Sequence, residues 1–212
     1  MFYNIFIIFI INLIINGCGI KPNPNQLNLV MSGDPKSIDP AYATDVRTGQ
    51  LCALLYDNLV RFGKGTELLP GLSERWEISN DALTYSFHLK DSVLFQSGKP
   101  FQCSDVKNSF ERIVDPKTKS HRKWLFNNVK GTTAFLSGEK ESIAGFLCTD
   151  NYTFKIELKQ PFSPFLEFLA MPSASIVYEL QNGDIIGTGP WQLKEWIHDG
   201  HILFERNNDY FD

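Results

Sequence analysis

Four cysteines, three methionines and four histidines are all that 212 residues hold of these types. Cys18, Cys52, Cys103 and Cys148 form no C-x-x-C pair and have no histidine cluster nearby, which speaks against a zinc site. His88 and His121 are isolated, and His198 and His201 flank Asp199 in what reads as a solvated turn. No G-x-S-x-G elbow, P-loop or G-x-G-x-x-G occurs. Gly187-Thr188-Gly189 lacks a third glycine and runs into Pro190, which obstructs a phosphate cradle. Hydrolysis and nucleotide chemistry therefore have no signature, and the reading is a non-enzyme with no cofactor and no metal. Basic excess is also lacking: the net charge is −4, so there is no electrostatic footprint for nucleic acid.

Charge is absent altogether before Lys21. Residues Phe2 to Gly17 are almost all Ile, Phe, Leu and Asn. As a helix they would span roughly 24 Å at about 1.5 Å per residue. That is short of a hydrocarbon core about 30 Å thick, and it suits a signal-peptide core better. Ile15-Asn16-Gly17-Cys18 resembles the bacterial lipobox, which implies lipid attachment to the Cys18 thiol and cleavage before it. Residues 1–17 are then a signal peptide, and 18–26 a Pro/Asn-rich tether. No Lys or Arg precedes the apolar run, and Asn16 departs from the small residues usual there. An uncleaved anchor, with Cys18 an ordinary cysteine, is the alternative. Cys52, Cys103 and Cys148 are three, so at most one disulfide forms among them; buried free thiols are the expectation.

The whole chain is 43% apolar with 17 Phe, enough for a large core or for a core plus an aromatic-lined groove. Leu27–Met31 suits an opening strand. Leu51, Leu54, Leu55 and Leu59 recur at helical spacing from Thr48. Trp76–Ile78, Tyr85–Leu89 and Val93–Phe95 read as strands, Tyr85–Leu89 by strict alternation. Ser104 is the expected cap of a helix with Val106, Phe110, Ile113 and Val114 on one face, stopped at Asp115-Pro116. Lys117–Lys123 reads as a loop, Thr132–Ser137 as a short helix and Phe154–Leu158 as a strand. Ser163-Pro164 opens another helix. Trp191–Trp196 and Ile202–Glu205 form a hairpin across Asp199-Gly200. Trp76, Phe87, Phe95, Phe101 and Phe110 are expected in the core. The fold class is α/β in the broad, mixed α+β sense.

Several segments resemble one family in order along the chain. Asp34-Pro35-Lys36-Ser37-Ile38-Asp39-Pro40 is similar to its D-P-x-S-L-D-P opening. Leu55-Tyr56-Asp57-Asn58-Leu59 matches an L-Y-D-x-L segment, and Pro70-Gly71-Leu72 with Trp76 a P-x-L…W stretch. Tyr85 through Val106, Gly187-Thr188-Gly189-Pro190-Trp191 and Asn207-x-x-Tyr210-Phe211 follow. Together they identify the chain as a member of the bacterial extracellular solute-binding proteins of family 5, the oligopeptide, dipeptide and nickel binders of ABC importers.

The resemblance implies a periplasmic-binding-protein-like fold of type II. Residues 27–60 and 185–212 would belong to a first lobe and 61–184 to an inserted accessory domain, with the second lobe absent. It implies that Thr44-Asp45-Val46 borders a ligand cleft and holds a peptide through backbone hydrogen bonds. Asp45 is either a partner for a ligand charge or an ordinary loop acid. Arg122 and Trp124 lie in a loop that can reach the ligand. The implied partners are a peptide, an ABC permease and membrane lipid through Cys18, for a monomer on the extracytoplasmic face of the cell membrane. Nickel or heme-type ligands, or a lipoprotein that no longer transports, are the alternatives.

Overall fold

A computed structural model describes residues 33–212 together with Leu27 and Met31. The lipobox, Cys18, the tether 18–26 and most of the expected strand Leu27–Met31 lie outside the described residues. No helix among the described residues is long and apolar enough to cross a membrane.

In chain order the strands are β1 (Val60–Phe62), β2 (Leu68–Pro70), β3 (Ser73–Ile78), β4 (Thr84–Leu89), β5 (Phe146–Asp150), β6 (Thr153–Glu157), β7 (Tyr178–Glu179), β8 (Ile185–Ile186), β9 (Trp191–Ile197) and β10 (His201–Arg206). The helices of five residues or more are α1 (Val46–Leu55), α2 (Cys103–Val114), α3 (Thr132–Leu136) and α4 (Phe165–Leu169). The fold is mixed α/β, as the sequence implies.

Its main body is an antiparallel sheet of order β3-β4-β6-β5. Strict alternation puts Tyr85, Phe87 and Leu89 of β4 and Phe154 and Ile156 of β6 on one buried face. Tyr85 pairs with Ile156, and Phe87 with Phe154. Helix α2 covers this face with Val106, Phe110, Ile113 and Val114. The ring of Phe110 lies 4.6 Å from Phe126, 5.6 Å from Phe146 and 5.8 Å from Phe154, centroid to centroid. Aromatic contacts of this kind add about 0.5–1.5 kcal/mol each beyond area burial. Phe87, Phe95 and Phe101 are buried too, whereas Trp76 is only half-buried because β3 is an edge strand.

Four local expectations are corrected. The cap of α2 is Gln102, not Ser104: the Gln102 N–H donates to the Asp105 carboxylate at 2.9 Å, and Lys99 Nζ holds the same carboxylate at 2.7 Å. The Asp105 side chain therefore reaches back one turn and starts the helix two residues early. Val93–Phe95 makes only one bridge, Leu94 to Pro100, because the chain turns tightly over Gly98 at φ +81°. Lys117–Lys123 overlaps two short 3-10 turns, Pro116–Thr118 and Lys123–Phe126. The thiols of Cys103 and Cys148 are not free: they form a disulfide across a Cα–Cα distance of 5.8 Å. Folding lays the first turn of α2 over β5, which brings together two residues that no local pattern relates. Cys52 is the buried free thiol expected.

A second, smaller buried cluster joins Ala43, Leu51, Cys52, Leu55, Tyr56, Val177 and Phe204. It packs α1 beneath the β9–β10 hairpin, while Leu59 falls past the end of α1.

Candidate functional site

Thr44, Asp45 and Val46 stand where the chain leaves a 3-10 turn, Pro40–Tyr42, and enters α1. Asp45 is the N-cap: its Oδ1 accepts from Thr48 N–H and its Oδ2 from the Thr48 hydroxyl, both at 3.0 Å. The Thr48 amide holds the carboxyl below the usual range. Val46 is 76% exposed and Thr44 is exposed. Among the described residues, neither the N–H nor the C=O of Thr44 has a hydrogen-bond partner.

The backbone just before this exposed stretch is fixed from below. Arg122 Nε donates to the Ala43 carbonyl at 2.8 Å, and the Ser173 hydroxyl donates to the same oxygen at 3.0 Å. The Ser120 hydroxyl donates to Ala41 O at 2.6 Å and accepts from Arg122 N–H at 3.0 Å. Lys119, in the left-handed region at φ +54°, turns the chain so that Ser120 and Arg122 arrive here. Asp39 takes two hydrogen bonds from Arg112 of α2 and caps the 3-10 turn through Ala41 N–H at 2.9 Å.

Arg122 is thus anchored to Ala43, the residue just before the Thr44–Val46 stretch. Trp124 is not hydrogen-bonded to that stretch. Its ring meets Phe168 edge-on at 5.0 Å and, with Phe162, Asn128 and Lys159, lines a recess of about 450 Å³. Ser120 and Ser173 carry support that sequence reasoning missed. Each acts on a carbonyl 79 or 130 positions away, and no local pattern announces that.

A second cluster braces the frame. The Thr188 hydroxyl donates to Asp57 Oδ2 at 2.8 Å, and the Tyr210 hydroxyl donates to Oδ1 at 3.2 Å. Burial raises the Asp57 carboxyl above its usual range, and the two hydroxyls only partly offset this. Gly189 N–H donates to Leu55 O at 3.1 Å, an approach open to glycine alone, since a Cβ there would sit 2.6 Å from Leu54 O. Asn207 Nδ2 donates to Gly189 O at 2.9 Å. Three of the sequence segments singled out above therefore meet at one point. No group of three His, Cys, Asp or Glu side chains among the described residues is placed to hold a metal.

Among the described residues this geometry offers an unpaired main-chain donor and acceptor on the exposed Thr44, next to the fixed Ala43 carbonyl. A family model described as "Bacterial extracellular solute-binding proteins, family 5 Middle" matches residues 67–212. Di/tripeptide-binding protein 4 of Pseudomonas aeruginosa is 32% identical over 209 residues, covering 87% of this chain and 38% of that protein. Dipeptide-binding protein DppE of Bacillus subtilis is 28% identical over 190 residues, covering 84% and 35%. The solved murein tripeptide binding protein MppA of Escherichia coli superposes with a TM-score of 0.76 at 26% identity, covering 85% of this chain and 38% of that one. Peptide-bound OppA of Listeria monocytogenes gives 0.77 at 23%, covering 90% and 40%, a likeness of fold. The chain thus spans well under half the length of the relatives it matches.

Proposed function

The chain belongs to family 5 of the bacterial extracellular solute-binding proteins, and on that premise we propose that it contributes one wall of a peptide site in a lipid-anchored receptor serving an ABC importer. Family members act outside the cytoplasm and bind solutes without covalent chemistry. The relatives named for di- and tripeptides point to short peptides as the ligand class. Lipid attachment at Cys18 and a monomeric state complete the reading.

The observation that carries it is the N–H and C=O of Thr44, without a partner among the described residues and next to a carbonyl that Arg122 and Ser173 fix. An extended peptide laid beside Thr44–Val46 gains main-chain hydrogen bonds in the manner of an added strand, whatever its side chains. Asp45, already committed to Thr48, shapes the helix start. The Trp124 recess is the place for an apolar side chain. Residues 27–60 and 185–212 form the lobe that carries this wall and 61–184 the inserted domain; Leu51, Cys52, Leu55, Tyr56 and Phe204 of the lobe share one buried cluster, while Ala41, Leu59 and Val60 pack into the larger one.

Amide spectra of the chain titrated with trialanine test this. Shifts at Thr44, Asp45 and Val46, absent with free alanine and lost in Thr44→Pro, which removes the donor, are expected. A saturating shift elsewhere, with these amides unmoved, sinks the assignment.

A further inference from the structure

The two sulfurs of the disulfide are not equivalent. Cys103 is the first residue of α2, is 1% exposed and belongs to the main core. Its sulfur lies 3.3 Å from Thr153 O and its N–H donates to Asn151 O at 2.8 Å, so the residue is held whether or not the bond exists. Cys148 is exposed, in the middle of β5, the strand at the open edge of the four-stranded sheet. Leu147, Thr149 and Asp150 beside it are exposed as well. A thiol approaching from solvent meets Cys148 first.

We propose that Cys148 is a site of thiol–disulfide exchange, taking an incoming thiolate from a small thiol of the glutathione type while Cys103 acts as the buried leaving and resolving sulfur. The inference rests on this pair alone and holds whatever ligand the lobe takes. In the reducing direction the thiolate sulfur bonds to Cys148 Sγ and the Cys103–Cys148 bond breaks. Its electron pair stays on Cys103, which takes a proton from water. In the oxidising direction the Cys148 thiolate attacks the disulfide of the small partner and expels one thiolate. Cys103 then attacks Cys148 and expels the second. Two protein thiols become one disulfide, one small disulfide becomes two thiols, and their protons pass through water to the products. Thr153 O, already at 3.3 Å, accepts from the thiol when Cys103 is protonated. Cys52 does not compete, because it is buried and its thiol is pushed up to about 12.

The test treats the oxidised chain with reduced glutathione under native conditions, quenches early with an alkylating reagent and maps the mixed disulfide by peptide mass. Glutathione on Cys148, in at least about tenfold excess over Cys103, is expected from the difference in access. Equal labelling, labelling on Cys103, or no exchange in the folded protein overturns the proposal. A second measurement uses reduced chain and oxidised glutathione. Cys103→Ser should accumulate a stable adduct on Cys148, and wild type should pass through it to the closed disulfide. A folded Cys103→Ser chain that gains no adduct also overturns it.

Discussion

Arg112 grips Asp39 with two parallel hydrogen bonds, Nη1 to Oδ1 at 2.9 Å and Nη2 to Oδ2 at 2.5 Å, across 73 positions of sequence. The pair joins the helix over the main sheet to the turn that feeds Thr44–Val46. Hydrogen bonding to Asp39 raises the guanidinium pKa further, so the charge is permanent. Arg112→Ala leaves a half-buried carboxylate without its partner. A loss of about 2 kcal/mol in denaturant unfolding is expected, and Arg112→Lys should recover only part, because an ammonium lacks the fork. Unchanged unfolding midpoints in both variants would falsify this role.

Arg122 acts one layer nearer the exposed stretch. Arg122→Ala removes a charged donor from Ala43 O but leaves Ser173 in place. Global stability should fall by no more than about 1 kcal/mol, since the side chain is half-exposed. Amide exchange at Thr44 and Asp45 should quicken, and trialanine shifts there should need higher peptide concentration. Faster exchange spread evenly over α1 would mean that Arg122 props the helix, not the stretch.

Asp57 predicts a pH dependence. Its folded carboxyl titrates above the ordinary Asp value because burial disfavours the charge. The folded state therefore holds the proton more tightly than the unfolded chain. The associated stability is fully present below the unfolded pKa of about 4 and is lost as pH rises through the folded value. Relative to Asp57→Asn, which has no proton to lose, wild type should weaken between pH 4 and neutrality. Thermal melts of the two proteins across that range measure it; a difference that does not change with pH, or wild type gaining on Asp57→Asn as pH rises, contradicts the sign.

The disulfide closes a loop with a sequence separation of 45. Loop-closure entropy assigns such a link about 4 kcal/mol, chiefly by restricting the unfolded chain. Cys103→Ser/Cys148→Ser should fold, because Phe110, Phe126, Phe146 and Phe154 still pack, but melt well below wild type. Melting points within 2–3 °C of each other, against the roughly 2–4 °C expected per kcal/mol, would place the stabilisation elsewhere.

Alternation in Tyr85–Leu89 and the apolar face of Val106–Val114 were readable because both patterns are local and their periods differ. The hairpin was readable from two alternating runs across Asp199-Gly200. The order β3-β4-β6-β5 was not, since α2 intervenes between β4 and β5 and pairing is decided by packing. Asp105 shows the limit of reading caps: Ser104 has the chemistry of a cap, yet the reach of Asp105 back to Gln102 N–H sets the start of the helix. At the site, the motif order led to Thr44–Val46 and Arg122. The grip of Ser173 on Ala43, and the cystine, depend on which surfaces meet after folding.

The chain leaves the α1 region at Asp57 and comes back past it: Ile176 N–H donates to Asp57 O at 2.9 Å, and Thr188 reaches the same residue's carboxylate. Departure and return share one doorway. Whatever is threaded between them can lengthen or shorten without pulling the two doorposts apart, provided that Arg112 still reaches Asp39 and that Ser120, Arg122 and Ser173 still reach the backbone just before Thr44.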